Sequence, residues 1–228
     1  MQHVGYRHGL LGLLIVTLLG AFGFATTAAA VTVLSTFDAD EEGWTSVPAS
    51  VNFAAAGGNP GGYLHHVDAS ATSTYIIAPS QFLGDWSSGN SLGSVGFDHK
   101  IFSLGSVVNG FLPYEIRIAG SGDQATWFGA TPAGTTDWLS LTAPLNEAAW
   151  SVTGNWSDLL LNVTDLRIRI ELVDNGAGSG DSAGVDNVRL ELGEVAGGVI
   201  PEPATGVLLV VGGLASLISC KRRLSTPD

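Results

Sequence analysis

The chain has 228 residues and a net charge of −12. Between residues 31 and 199, five basic residues stand against 19 acidic ones, leaving −14; such a segment repels nucleic acid and anionic lipid surfaces. The one cysteine, Cys220, lies near the C-terminus, so this acidic middle has no disulfide and depends on core packing or on bound metal for its stability.

Residues 1–30 read as a secretory signal peptide. Arg7 sits in a short polar leader, residues 9–24 are apolar, and Ala28-Ala29-Ala30 supplies the small residues of a cleavage site. An uncleaved signal anchor is the alternative. The mature chain is expected to begin near Val31.

Residues 31–192 read as all-β. Leu166-Arg167-Ile168-Arg169-Ile170-Glu171-Leu172 alternates apolar with charged, the pattern of a strand with one buried face. Residues 95–99, 114–118 and 188–192 repeat it, and 31–37, 63–67, 74–77, 124–128 and 138–142 are further strands. Clusters of Gly, Pro, Asn and Asp separate them, including residues 57–62 and 175–180. Helix is confined to turns at 145–149 and 155–161, the second placing Trp156 and Leu160 on one face. The expected fold is an antiparallel β-sandwich of jelly-roll type. Residues 193–200 read as a linker.

No catalytic set assembles from the sequence. Gly180-Asp181-Ser182-Ala183-Gly184 echoes a serine-protease motif, but no histidine stands in a protease context, and the segment reads as a connecting loop. His65-His66 with Asp68 has zinc-binding residue types. On a strand, however, neighbouring histidines point to opposite faces and cannot share one ion. Asp174 and Asp181 with the intervening glycines lack the fixed spacing of a calcium-binding repeat. Among the six tryptophans, Trp44, Trp138 and Trp150 read as core or core edge. Trp86, Trp127 and Trp156 lie in or beside loops and are the candidate sugar platforms, because a flat ring stacks on a pyranose.

Tyr75-Ile76-Ile77-Ala78-Pro79-Ser80-Gln81-Phe82-Leu83-Gly84-Asp85-Trp86 resembles the centre of the laminin B (laminin IV) domain. Phe37-Asp38 with Gly43-Trp44, Gly61-Gly62-Tyr63-Leu64 and Val185-Asp186-Asn187-Val188-Arg189-Leu190 resemble the same family, and also the wider group of jelly-roll carbohydrate-binding modules. After the Phe-Leu-Gly turn this chain carries Ser87-Ser88-Gly89-Asn90, where the family often has Tyr-Gly-Gly. The resemblance implies an extracellular structural or adhesive domain over residues 31–192, without catalysis. In such jelly rolls the first and last strands run side by side and often hold a structural calcium ion under a glycine loop. The matching residues here are Asp38, Asn59 and Asp186, and the acidic charge suits an ion that takes six to eight oxygen ligands.

The C-terminal segment, residues 201–224, carries Pro201-Glu202-Pro203, an apolar run over 206–220 and the triplet Lys221-Arg222-Arg223. The prolines hold an extended segment that an enzyme can read, the apolar run enters a bilayer as a transmembrane helix, and the basic triplet stays cytoplasmic. The order resembles the PEP-CTERM sorting signal of Gram-negative bacteria, which an exosortase reads in species that make exopolysaccharide. An ordinary membrane anchor is the alternative. The resemblance implies an exported protein, anchored transiently in the inner membrane and then placed at the cell surface or in the extracellular matrix. There its role is structural or adhesive, or that of a carbohydrate-binding module for a matrix polysaccharide.

Overall fold

Strict alternation gives each long strand one apolar side, and strands paired edge to edge add those sides into a face that must be covered. The computed structural model describes residues 30–68, 72–105, 109–174 and 180–193. In chain order its strands are β1 (Val31–Ser35), β2 (Thr45–Val47), β3 (Asn52–Ala54), β4 (Tyr63–Val67), β5 (Tyr75–Ile77), β6 (Ser94–Ser103) and β7 (Gly110–Phe111). They continue with β8 (Glu115–Gly120), β9 (Asp123–Phe128), β10 (Leu139–Pro144), β11 (Ser151–Thr153), β12 (Asp165–Arg169), β13 (Val173–Asp174) and β14 (Ser182–Leu192). One short helix, α1 (Trp156–Leu161), precedes β12.

Sheet A has the order β10-β6-β14-β4-β3, with β1 also paired to β14; sheet B has the order β11-β9-β8-β12-β5-β2. Every pairing in the two sheets is antiparallel. The two sheets form a sandwich. Leu64, Val95, Phe97, Ile101 and Val185 of sheet A share its core with Ile76, Ile116, Ile118, Leu166 and Ile168 of sheet B. Each is at most 1% exposed, a burial that contributes about 1.5–3 kcal/mol per side chain.

The centre of sheet A positions the site. One edge of β14 pairs with β6. The other edge is shared: β1 pairs with residues 188–192 and β4 with residues 182–185. Asp186 and Asn187 are left in the gap between them. There the register against β6 slips, and Asn187 takes a left-handed conformation with φ of 47°. A bulge of this kind bends a strand and re-aims its side chains.

The longer strands stand where the sequence puts them. β4 matches its expected range, and β6, β8, β9 and β10 contain or overlap theirs. Asn155 caps α1, its Oδ1 accepting from Ser157 N at 2.9 Å and Asp158 N at 3.2 Å, and both Trp156 and Leu160 are buried. The expected strand over 166–172 ends early, at Arg169. Beyond it Ile170 N bonds Thr74 O, and the Glu171 carboxylate turns inward to accept from Thr74 N. The serine-motif segment is no free loop either: Ser182, Ala183 and Gly184 begin β14 and pair with both β4 and β6. The short strands β2, β3, β7, β11 and β13 have no alternating pattern long enough to be read.

The signal-peptide segment, the linker beyond residue 193 and the sorting motif with its apolar run lie outside the described residues. Among the described residues, no helix is long and apolar enough to cross a membrane.

Candidate functional site

The outward parity of sheet A brings together residues scattered along the sequence. On β4 the side chains of Leu64 and His66 face the core, so Tyr63 and His65 face out. On β6 the core takes Val95, Phe97, His99 and Ile101, leaving Asp98, Lys100 and Phe102 outside. Trp138 enters from the connection before β10. Its ring centroid lies 5.5 Å from Tyr63 and 6.0 Å from Phe102, both edge-on. Tyr63 and Phe102 are 5.3 Å apart, His65 stands 5.7 Å from each of them, and the Lys100 ammonium lies 5.2 Å from the Phe102 centroid.

Gly184 makes this cluster possible. It lies on β14, between β4 and β6, and a methyl group there would come within 2.7 Å of Tyr63 Cδ2 and 2.9 Å of Phe102 Cε2. Any side chain would drive the two rings apart. Trp138, Phe102 and His65 remain partly exposed, while Tyr63 is 8% exposed and supports them from below. Burial raises the Tyr63 hydroxyl above its usual range, so it stays a neutral hydrogen-bonding group. Burial, and secondarily the neighbouring His66, lower the His65 imidazole, which favours its neutral form.

A polar region adjoins these rings on the same face. Asp98, opposite Asp186 in the ladder, accepts from Ser140 Oγ at 2.6 Å, Asn59 Nδ2 at 3.0 Å and Asn187 Nδ2 at 2.9 Å. Asp186 is fully buried; its Oδ2 accepts from Asn59 N at 2.5 Å and its Oδ1 from Asn187 N at 2.7 Å. Burial first, then Asp98 and Asp38, push the Asp186 carboxyl up to about 6, against the opposing pull of the two backbone N–H groups. The loop of residues 57–62 therefore lies against the sheet, and Trp138 Nε1 also donates to Gly57 O at 3.0 Å. Gly58 permits the close approach: a methyl group there would fall 2.7 Å from Asp186 Oδ2.

The expected calcium residues Asp38, Asn59 and Asp186 thus meet in one place, and Asp98 and Asn187 join them. The sequence reading missed these last two. Asp98 was legible in principle, since it has outward parity on an alternating strand, but its position opposite Asp186 is a matter of register. Three carboxylates meet here with one cation nearby, the Arg189 guanidinium at 3.9 Å from Asp98 Oδ1. Oxygen-rich and acidic, this donor set fits a hard cation.

Of the three expected sugar platforms, Trp86 and Trp156 are buried and Trp127 is half-buried. Trp86 is 1% exposed and donates Nε1–H to Phe82 O at 3.0 Å; Trp156 is 4% exposed and donates to Asn90 Oδ1 at 3.1 Å. Both rings are drawn into the core, because a large apolar surface gains more by burial than by stacking in water. Trp127 pairs with Ile116, whose side chain is fully buried, so its ring packs against the core from the same face. Trp138, expected at the core edge, is instead the tryptophan on the outer face of sheet A. The parity of Tyr63 and His65 was readable, but the meeting of three strands at Gly184 was not.

The serine motif gains no catalytic partner. Ser182 Oγ lies 3.1 Å from Ser103 Oγ, and no histidine is among its described hydrogen-bond partners.

No family model matches the chain, and no curated protein matches it. Among solved structures it is similar to the L4b domain of human laminin α-2, at 13% identity over 72% of this chain and 99% of that one, with a TM-score of 0.52. It is also similar to the C-terminal family 22 carbohydrate-binding module of Clostridium thermocellum Xyn10B, at 19% identity over 79% and 99% of the two chains, with a TM-score of 0.40. The mannan-recognising module TmCBM27 matches at 13% identity over 72% and 99%, with a TM-score of 0.41. The first likeness supports the β-sandwich fold and nothing finer. The other two, below a TM-score of one half, add nothing to that assignment.

Proposed function

We propose that this chain is an exported, non-catalytic adhesion protein that binds an extracellular polysaccharide through the outer face of sheet A. The observation that carries the reading is the Trp138–Tyr63–Phe102–His65 cluster, seated over a glycine and bordered by Asp98, Ser140 and Asn187. Partly exposed rings offer apolar contact to the flat face of a pyranose, and the adjoining polar side chains can bond its hydroxyls. A small open face of this kind gives weak affinity per site, of the order of millimolar or about 4 kcal/mol. Many copies on a surface turn that into firm attachment.

Export follows from the terminal segments. Residues 1–30 serve as a signal peptide, residues 193–200 as a linker and residues 201–224 as a sorting signal of PEP-CTERM type, processed by an exosortase next to Pro201-Glu202-Pro203. The inner membrane is the transient anchor, and the cell surface or matrix is the destination. Within the sandwich we assign a structural calcium ion to Asp38, Asn59 and Asp186. It would neutralise carboxylates that repel one another and tie the loop before β4 to β14.

Affinity electrophoresis of the purified protein through gels containing candidate matrix polysaccharides tests the binding claim. The parent is retarded by its cognate polymer and Trp138→Ala is not. Equal retardation of the two defeats the assignment of the face.

A further inference from the structure

A second cluster lies on the opposite, core-facing side of sheet A. His66 on β4 is fully buried, and neither ring nitrogen makes a hydrogen bond with any described residue. Its Nε2 stands 3.5 Å from Glu171 Oε2. Glu171, just past β12 of sheet B, is 3% exposed and is oriented by Thr74 N, which donates to Oε2 at 3.0 Å. Asp68, just past β4 and 4% exposed, is fixed by its own backbone N–H donating to Asp181 O at 2.9 Å. One imidazole nitrogen and one oxygen from each carboxylate lie within 4.8 Å of one another.

Buried polar groups in folded proteins are almost always partnered. An imidazole with no hydrogen bond at either nitrogen, set beside two buried carboxylates, is completed either by an ion pair with Glu171 or by a bound cation that takes all three groups. No lysine or arginine among the described residues pairs with Glu171. We propose that His66, Asp68 and Glu171 bind one zinc-class divalent metal ion that clips β4 of sheet A to the β12–β5 side of sheet B.

The donor set selects the metal class. Zinc takes imidazole nitrogen and carboxylate oxygen in a tetrahedron, with bonds of about 2.0–2.2 Å that place its donors about 3.4 Å apart. The His66–Glu171 separation, 3.5 Å, is already close to that value, and Asp68 closes in from no more than 4.8 Å. Calcium prefers six or more oxygens and has no use for a buried imidazole. A second oxygen of either carboxylate or a water supplies the fourth position. The ion lies on the other face of the sheet from Asp186, so the two metal assignments are independent. It would give a domain without cysteines the inter-sheet cross-link that a disulfide gives other exported domains.

The test uses the full-length protein, purified in detergent and stripped with chelator, then titrated with zinc chloride and separately with cobalt chloride. The expected result is one equivalent bound per chain and a visible d–d absorption of tetrahedral intensity with cobalt. Zinc at a hundred times its dissociation constant should raise the melting temperature by about 5 to 10 °C. Glu171→Gln keeps an acceptor for Thr74 N and nearly the same volume, and should weaken zinc binding at least ~10-fold. Asp68→Asn provides the same reading if that variant does not fold. His65→Ala and Asp186→Asn should leave the zinc response intact; its loss in either would place the ion on the outer face and overturn the proposal. A parent with no cobalt band and an unchanged melting temperature, as expected for a plain His66–Glu171 ion pair, also overturns it.

Discussion

Replacing Asp186 by Asn should change how the stability of the protein depends on pH, with opposite consequences with and without calcium. In chelator the folded carboxyl titrates at about 6, raised from 3.8 by burial and by Asp98 and Asp38. A group raised on folding contributes stability that is fully present below the unfolded value and is lost as pH rises through the folded one. A gap of about two units, at 1.36 kcal/mol each, is about 3 kcal/mol. The asparagine side chain has no charge to lose. The stability of Asp186→Asn relative to the parent should therefore increase by about 3 kcal/mol between pH 3.5 and pH 7. Its absolute level is set separately by the imperfect replacement of the bonds from Asn59 N and Asn187 N, at about 1 kcal/mol each. With saturating calcium at pH 7 the parent gains stability and the variant does not, which narrows or reverses the gap. Urea denaturation of both proteins at a series of pH values, in chelator and in calcium chloride, measures all of this. A difference in chelator that stays flat from pH 3.5 to 7 would refute the reasoning, because a carboxylate buried against two others cannot titrate normally.

His99 titrates in the same window with the opposite sign. Burial holds its ring at about 4, so it is neutral in the folded protein, and the stability this represents is present above pH 6.5 and lost as pH falls towards 4. Its ring resonances should show no protonation at pH 5.5, and a midpoint near 6.5 in the folded protein would contradict its burial. Trp86→Ala should cost about 3 to 5 kcal/mol in denaturant melts while the folded fraction keeps its polysaccharide retention; lost retention in folded protein would return Trp86 to the binding surface. Mass spectrometry of the protein recovered from the producing cell's surface should find a C-terminus at or beside Pro201-Glu202-Pro203. A terminus intact through Asp228 would leave a simple anchor in place of sorting and processing.

The sequence was most legible where one physical rule acted alone. Alternation placed β6, β8 and the second half of β14, because burying one face forces a two-residue period over five or more positions. The short helical turn at 155–161 was legible from Trp156 and Leu160 falling on one face. The short strands β3 and β11 were invisible, since three residues at a sheet margin take their conformation from the neighbour they pair with. The tryptophans were misread for a related reason. Position in or beside a loop suggested exposure for Trp86 and Trp156, yet a segment that crosses an apolar core turns its largest ring inward. Asp38, Asn59 and Asp186 could be brought together by supposing that the first and last strands run side by side. Trp138, Tyr63 and Phe102 could not, because their meeting depends on the register of β4, β14 and β6 and on one missing side chain at Gly184. His66 lies on a strand and Glu171 just past one, but nothing local says that β4 and the end of β12 face each other across the sandwich.

The outer face of sheet A is the proposed adhesive surface, and a comparison of Trp138→Ala with the parent tests it most directly. Trp138 is partly exposed and its removal leaves the core intact, so the variant should fold with the circular dichroism of the parent. Retention on the cognate matrix polysaccharide should fall by at least about tenfold, since roughly 1.4 kcal/mol of contact suffices for that factor. A folded Trp138→Ala protein retained as strongly as the parent would contradict the claim that this face is where the protein adheres.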